Sequence, residues 1–296
     1  MNNTRLLFVH ALSPLHAGTG QGVGVIDLPI AREKATGLPF LPGSSLKGTL
    51  RSVCSESERA KIFGPDNADI ESNESYASSA QFSDQRLLLL PIRSLAGTFA
   101  WVTSPYVLSR FLRDIKDVQV KTPVLKTPTI QSDEQCLIAT KTRSITMGTD
   151  SQMVYLEDLD LSAQESKEVK DWADWISKQV FSDDPDWQHM LIERFCVVHD
   201  DIFNFMISAS TEITARIRMQ ENSKTVQSSG LWYEEALPTE TILSGIVLAM
   251  PTARSKATVG EVFSTLQELT GKTMQFGGKA TIGRGMCRVQ LVQEEG

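Results

Sequence analysis

The chain has 296 residues, of which 41% are hydrophobic, and a formal net charge of −7. This length and apolar content suffice for a buried core in one large domain or in a domain with insertions. The acidic excess is local, since residues 157–193 carry eleven Asp and Glu against three Lys, a charge of −8 that leaves +1 for the rest. The composition excludes a uniformly polyanion-binding surface and leaves room for basic stripes on a near-neutral body.

The four cysteines are widely spaced and form no C-x-x-C pattern. A zinc site or a disulfide framework is therefore not indicated, and reduced thiols fit better. No apolar run reaches the roughly 18–20 residues of a membrane span, and the N-terminus shows no charged-then-apolar signal pattern. We expect a soluble, cytoplasmic protein.

The first part of the chain predicts a short strand at residues 6–12 and then a long loop rich in Gly and Pro at 13–42. A loop of this length inside a compact domain is typically functional or disordered. It contains His16 and, after four glycines, Asp27.

A helix is predicted next, from about Leu46 to Cys54. Ser44 and Ser45 are the expected N-caps, and Lys47 and Arg51 lie four residues apart on one helix face. A helix N-terminus beside Gly-Ser-Ser is a natural anion site.

The middle of the chain mixes strands and helices. We predict a mobile or loop-like segment at 64–80, strands at 85–92 and 94–101, a helix at 105–115, an irregular segment at 116–135 and a helix at 161–181 with Trp172 on its apolar face. The last helix belongs to an acidic insertion at about 157–195, whose charge excludes it as a polyanion-binding face.

Residues 211–220 alternate between two faces. Ile213, Ala215, Ile217 and Met219 point one way, whereas Thr214, Arg216, Arg218 and Gln220 point the other way. With a turn at 221–224 and a returning strand at 225–233, the pattern predicts an extended β-hairpin with a basic face. A strand at 243–249, a helix at 259–271 and a final strand at 286–292 complete an α+β chain.

A second glycine-rich segment, residues 277–285, precedes the last strand. Gly278, Gly283 and Gly285 allow a close backbone approach, and Lys279 and Arg284 stand between them. Flexible N–H groups beside basic side chains suit phosphates, so the segment indicates a nucleic-acid backbone as the ligand. A tight turn without a ligand is the alternative.

At this point the residues resemble a family. Residues 42–48 (PGSSLKG) together with the Gly283-Arg284-Gly285 loop resemble the RAMP superfamily of CRISPR effector proteins. The segment 15–30 is similar to the repeated backbone ribonuclease subunit of the type III-B (Cmr) complex, as is the segment 231–235. The resemblance covers both ends and the hairpin, and therefore most of the chain.

The resemblance implies a single RAMP domain, 1–296, with a ferredoxin-like (RRM-type) core, a protruding β-hairpin thumb at about 211–233 and a helical insertion. It implies that Ser44, Ser45, Lys47, Arg51 and the glycine-rich loop contact a guide (CRISPR) RNA. Copies of the subunit would stack in a helical filament with other Cmr subunits, and the thumb would displace a base pair of the guide–target duplex.

The resemblance also implies that Asp27 is needed to cut a complementary target RNA at regular intervals, with a divalent metal (Mg²⁺ or Mn²⁺). Chemically, Asp27 can act as a general base or as a metal ligand, and the sequence leaves both open. His16 is a second candidate, as a base or phosphate donor. Tyr233 and Glu234 would approach the scissile phosphate if the hairpin folds over it.

Each of these residues also has a structural interpretation. Asp27 would cap local backbone N–H groups, and His16 would be a hydrogen-bonding surface residue. Tyr233 would be packed while Glu234 is solvated. Arg216 and Arg218 are expected to contact guide or duplex, or else to keep an exposed edge strand soluble.

Three other functions stay open. A structural relative would hold guide RNA without cutting it. A guide-processing ribonuclease of the same superfamily is disfavoured because no His-centred constellation is evident. A phosphate-binding small-molecule enzyme is disfavoured because the early glycines do not end in the G-K-[ST] of a P-loop.

Overall fold

The computed structural model describes residues 3–20, 22, 24–65, 76–118, 122–149, 152–220, 222 and 225–293. Most of the predicted 64–80 loop lies outside the described residues. So does the predicted hairpin turn at 221–224, apart from Asn222.

Fourteen strands and seven helices occupy the described residues. The strands are β1 Thr4–Ala11, β2 Phe40–Leu41, β3 Ala80–Phe82, β4 Gln85–Arg93, β5 Phe99–Thr103, β6 Gln135–Ile138, β7 Met153–Leu156, β8 Leu159–Glu165, β9 Phe195–Val198, β10 Glu212–Met219, β11 Val226–Ala236, β12 Ile242–Ala249, β13 Thr273–Gln275 and β14 Met286–Leu291. The helices are α1 Gly43–Val53, α2 Glu56–Phe63, α3 Pro105–Val118, α4 Lys167–Val180, α5 Pro185–Arg194, α6 Asp200–Ala209 and α7 Val259–Leu269.

Twelve strands form one large mixed sheet. Its path runs β13-β14-β1-β12-β4-β5-β9-β6-β8-β7, while β2 pairs with β4 and β3 pairs with β12. The β5–β9 and β6–β8 pairs are parallel and the other pairs in the sheet are antiparallel. Strands β10 and β11 form a separate two-stranded hairpin.

Strand β1 lies at the centre of the hydrophobic core. All its residues from Leu6 to Ala11 are buried, which is why this segment reads as a continuous apolar run without alternation. Helix α3 covers it, and the rings of Phe8 and Phe111 meet edge to face at 5.8 Å. The periodic apolar residues of α3 therefore face the sheet, as its 3.6-residue pattern predicts.

Most predicted elements are confirmed: strands β1, β4 and β12, helices α3 and α7, and the hairpin lie within a few residues of their predicted bounds. Helix α7 begins with a capping box, in which Thr258 and Glu261 bond each other's backbone N–H groups, a signal present in the sequence. Within the described residues, the helices are all too short or too polar to cross a membrane.

The predicted helix at 161–181 was wrong at its start. Residues Leu159–Glu165 form strand β8, which pairs with both β6 and β7. Leu161 and Ala163 alternate inward along it, so a strand period precedes the helix period. The acidic segment is consequently helical only in part, and it contributes a strand to the large sheet.

Candidate functional site

Part of the segment predicted as a long loop, around Leu28, pairs with strand β11. The Leu28 N–H donates to the Tyr233 carbonyl at 3.0 Å, and the Glu235 N–H donates to the Leu28 carbonyl at 3.0 Å. Next to this ladder, Asp27 Oδ2 accepts a hydrogen bond from the Tyr233 N–H at 2.7 Å. The Asp27 side chain stays exposed, so its carboxylate is both fixed and accessible.

Two arginine–carboxylate pairs hold the same loop. Buried Glu235 accepts from Arg32 at 2.6 Å and from the Ile30 N–H at 3.1 Å. Further along, Glu33 binds Arg110 through both oxygens, at 2.6 and 2.9 Å. The hydrogen bond from Arg110 is the main reason that the pKa of Glu33 lies below its usual range. Because bidentate pairs fix orientation, these contacts anchor the loop on the C-terminal side of Asp27.

Asp27 lines an open groove of about 450 Å³. The other lining residues come from the loop, the hairpin and the glycine-rich segment: Gly22, Leu28, Arg218, Leu231, Trp232 and Lys279. The Arg218 guanidinium lies 6.0 Å from the Trp232 ring centroid, within cation–π range. The groove thus combines one carboxylate, two cationic side chains and an aromatic ring.

Glu234 is buried beside this groove rather than solvated. Its side chain is 2% exposed and accepts from Lys279 Nζ at 2.7 Å, with Arg216 Nε at 3.4 Å. Trp232 Nε1 donates to the same carboxylate at 2.7 Å. Burial by itself would raise the pKa of Glu234, but the hydrogen bonds of Lys279 and Trp232 and the Arg216 charge outweigh it and lower the pKa. These partners favour the ionised carboxylate of Glu234.

Tyr233 contributes its backbone to the site. Its backbone N–H holds Asp27, whereas its side chain is 39% exposed and projects from the strand face opposite to Glu234. The expectation of a packed Tyr233 and a solvated Glu234 was thus wrong on both counts.

His16 does not reach the groove. It is 6% exposed, and its Nδ1 lies 2.6 Å from the Glu235 carbonyl oxygen, which can only accept. Gly18 and Gly278 cover the ring so closely that a side chain at either position would contact it. Burial removes the surface role expected for His16, and its predicted role as base or phosphate donor has no support in this geometry.

The glycine-rich segment uses its N–H groups internally. Those of Gly278, Gly283 and Gly285 donate to the carbonyls of His16, Ala280 and Pro14, at 2.9, 3.0 and 2.8 Å. The expectation that these three N–H groups bind phosphate was wrong, because each already has a partner. The glycines serve a close approach: Gly277 lies against the His16 backbone, where a Cβ would clash.

Arg284 is also turned inward. It is 7% exposed and its Nη2 donates to Thr214 Oγ1 of the hairpin at 2.9 Å. Its predicted contact with RNA is not available in this conformation. Arg284 instead connects the glycine-rich segment to the base of the hairpin.

The predicted anion site at the start of α1 is filled by the protein. Helix α1 begins at Gly43, so Ser44 and Ser45 lie in its first turn and are not the N-caps. The Gly43 N–H donates to Asp84 Oδ1 at 2.9 Å, and this carboxylate takes the place expected for a phosphate.

Helix α1 still presents a basic face, which Lys47 and Arg51 form. Burial is the main cause that lowers the pKa of Lys47, and the Arg51 charge on the same face lowers it further. Arg51 also donates to the Gly64 carbonyl at 2.5 Å. Two cations held close together on a half-buried face favour an anionic partner.

The apolar face of the hairpin is exposed. Ile213, Ile217 and Leu231 are 53%, 52% and 54% exposed. The polar face carrying Thr214 and Arg216 is the half-buried one, because it faces Glu234 and Arg284. The hairpin therefore presents hydrophobic side chains to solvent, a feature that marks interaction surfaces.

Sequence reasoning missed Trp232, Arg32 and Glu235 as parts of the site. Arg216 pairs with Trp232 only because the register shifts between Ile217 and Met219, so a hairpin closed at 221–224 does not by itself predict this pairing. The Arg32–Glu235 pair joins residues about two hundred positions apart, for which a single sequence holds no signal.

The site can hold a divalent cation only if the ion is shared between the protein and the substrate. Among the described residues no three His, Cys, Asp or Glu side chains cluster in a way that holds a metal, and Glu234 is taken up by its own cations. Asp27 offers one carboxylate. That donor set suits a Mg²⁺ ion that keeps several waters and shares phosphate oxygens of a substrate.

Comparison with known proteins identifies the family of this chain. The model of the RAMP superfamily matches residues 8–288, and the chain therefore belongs to the RAMP superfamily. Over 299 residues it is 35% identical to the CRISPR system Cmr endoribonuclease Cmr4 of Pyrococcus furiosus, covering 97% of this chain and 95% of that protein.

Solved structures with a similar fold come from Cmr proteins. The crystal structure of oligomeric Cmr4 from Pyrococcus furiosus superimposes with a TM-score of 0.73 at 27% identity, over 99% of each chain. A cryo-EM structure of the type III-B Cmr-beta complex bound to cognate target RNA gives a TM-score of 0.70 over 97% and 96% of the two chains. At 21% identity, this second likeness is one of fold alone.

Proposed function

We propose that this chain is the guide-RNA-binding backbone subunit of a type III-B interference complex and cleaves complementary target RNA as an endoribonuclease. The observation that carries the proposal is the exposed Asp27 carboxylate, fixed by the Tyr233 N–H in a groove lined by Arg218 and Lys279. The full-length relative named as a Cmr endoribonuclease supports the reaction class.

The proposed reaction is an internal transesterification. Asp27 takes the proton of the substrate 2′-hydroxyl, whose oxygen then forms a bond to the adjacent phosphorus. The bond from phosphorus to the 5′ oxygen breaks, and this oxygen takes up a proton from water. The products are a 2′,3′-cyclic phosphate and a free 5′-hydroxyl, so that atoms and charge balance.

A divalent cation is part of the proposal. When bound, Mg²⁺ or Mn²⁺ would neutralise phosphate charge, with Asp27 as its protein ligand or as the base beside it. Activity should be lost when EDTA removes the metal and return when Mg²⁺ or Mn²⁺ is added back.

The proposed partners are guide RNA, target RNA, further copies of this chain in a helical filament and other Cmr subunits. The basic face of Lys47 and Arg51 supports contact with the guide backbone. The Cmr4 crystal structure described as oligomeric supports self-association. Unstacked bases pack on apolar and aromatic side chains, so the exposed hairpin face supports its action as a thumb that displaces a base pair.

The finer fold and location belong to the same proposal. We infer a ferredoxin-like core built by β1, α1, β4, β12, α7 and β14, which the antiparallel order β14-β1-β12-β4 supports. A guide-RNA complex would act in the cytoplasm.

The test is cleavage of a labelled, guide-complementary RNA by the reconstituted complex with Mg²⁺, comparing wild type with Asp27→Asn. The amide keeps an acceptor for the Tyr233 N–H and loses the charge. We expect regularly spaced products that vanish in the variant while assembly and guide binding persist. Equal cutting by both would place catalysis elsewhere, and no cutting by either would make the chain a guide-RNA scaffold.

A further inference from the structure

The glycine-rich segment holds one lysine in an unusual state. Lys279 has φ of 69° and ψ of 31°, the left-handed conformation that Gly277, Gly283 and Gly285 also adopt in this segment. A residue with a Cβ is disfavoured there, and such outliers cluster at functional sites. Because glycine would adopt this conformation at lower cost, the presence of lysine indicates that its side chain has a function.

The Lys279 side chain is fixed and still accessible. One of its three N–H donors goes to buried Glu234 at 2.7 Å, while the side chain remains 29% exposed. Glu234 is itself held by Trp232 at 2.7 Å and by Arg216 at 3.4 Å. A carboxylate clamped from three sides orients the ammonium group and leaves the remaining donors for a ligand.

The ammonium group lines the same groove as Asp27. A transesterification builds negative charge on the non-bridging oxygens of the phosphate and on the 5′ oxygen that leaves. A pre-positioned cation lowers the free energy of that charge at little reorganisation cost. The groove therefore holds a base and a cation within one substrate-sized space.

We propose that Lys279 is a catalytic residue, which stabilises the charge that develops on the scissile phosphate, and that Glu234 is the positioning residue that aims it. This inference rests on the proposed ribonuclease function. This inference changes the two roles predicted from the sequence. Glu234 does not contact the substrate, and Lys279 acts on the scissile phosphate and not only on the guide backbone.

The experiment measures single-turnover cleavage by the reconstituted complex at saturating target RNA, together with guide and target dissociation constants. Lys279→Met should slow cleavage by about 100-fold or more, the loss typical of a transition-state donor, with dissociation constants within about threefold of wild type. Lys279→Arg keeps the charge and should recover most of the rate. Glu234→Gln should slow cleavage by about tenfold at unchanged affinity, because the ammonium group is retained but less well aimed.

Two controls separate this role from folding. Lys272→Met removes an exposed lysine from the same C-terminal region and should change nothing. The double variant Glu234→Gln/Lys279→Met removes both charges, so no buried carboxylate is left without a partner, and it should melt near the wild-type temperature while still cutting slowly.

Wild-type cleavage rates in Lys279→Met, or a rate loss that merely tracks weaker binding, would overturn the inference. Failure of the wild-type complex to cut, or full activity of Asp27→Asn measured alongside, would instead overturn the proposed function. The two failures are therefore distinguishable in one series.

Discussion

The buried carboxylate of Glu235 helps to tie the Asp27 loop to the hairpin. It accepts from Arg32, from Thr211 at 3.0 Å and from the Ile30 N–H. One side chain therefore joins the loop, the end of α6 and strand β11. The position of Asp27 depends on this junction, although Glu235 itself is 2% exposed and is hidden from a substrate.

We expect Arg32→Met to destabilise the protein by about 3–5 kcal/mol, the cost of leaving one partner of a buried pair uncompensated. Urea denaturation measures this change. The double variant Arg32→Met/Glu235→Gln should recover a large part of the loss, and Arg288→Met, at an exposed arginine, should be neutral. A loss below about 1 kcal/mol for Arg32→Met would show that the pair behaves as a surface ion pair.

At the scale of elements, the hairpin is distinguished by the environments of its two faces. Its apolar face points to solvent and its polar face packs on the glycine-rich segment through Thr214–Arg284 and Glu234–Lys279. Polar contacts thus fix the angle of the hairpin, and hydrophobic burial does not. Such a hairpin keeps its apolar face for a partner.

The matched test compares two isoleucines. Ile217→Ala, on the exposed hairpin face, should change the free energy of unfolding by no more than about 0.5 kcal/mol. Ile242→Ala, at a fully buried position of β12, should cost about 2–5 kcal/mol. Both are measured by urea denaturation of the isolated subunit. Equal losses would mean that the chain itself covers the hairpin face.

For the whole molecule, the net charge and the local charge of individual faces differ in sign. With a net charge of −7, the chain as a whole repels RNA, so local basic faces have to supply the attraction. Helix α1 provides one such face, where burial and Arg51 lower the pKa of Lys47. A phosphate placed there would relieve the repulsion between the two cations.

Lys47→Met should therefore weaken guide-RNA binding to a similar extent for guides of any sequence. It should also reduce the slope of log K against log salt concentration by about 0.7, the value for one contact to a single-stranded phosphate. Fluorescence anisotropy at several salt concentrations measures both. Lys178→Met, in the acidic helix α4, is the matched control and should keep the wild-type slope. An unchanged slope for Lys47→Met would remove α1 from the guide contacts.

The sequence by itself determined the elements whose signals are local. The apolar run of β1 and the alternation of the hairpin each predicted the right element, because propensity and period act within a few residues. It also identified the family, and it singled out Asp27, which the structure places on an accessible groove. The strand at Leu159–Glu165 was missed because its alternating run leads directly into the pattern of α4.

Only the tertiary structure decided what each side chain of the site faces. Alternation separated the two faces of the hairpin but could not say which one meets solvent, since that depends on Lys279 and Arg284, which come from the glycine-rich segment. Burial of His16, use of the loop N–H groups by Pro14 and His16, and occupation of the α1 N-terminus by Asp84 arise from contacts between distant segments. A hydrogen-bonding group is taken up by whichever partner the fold brings within about 3 Å, and a local pattern does not contain that distance.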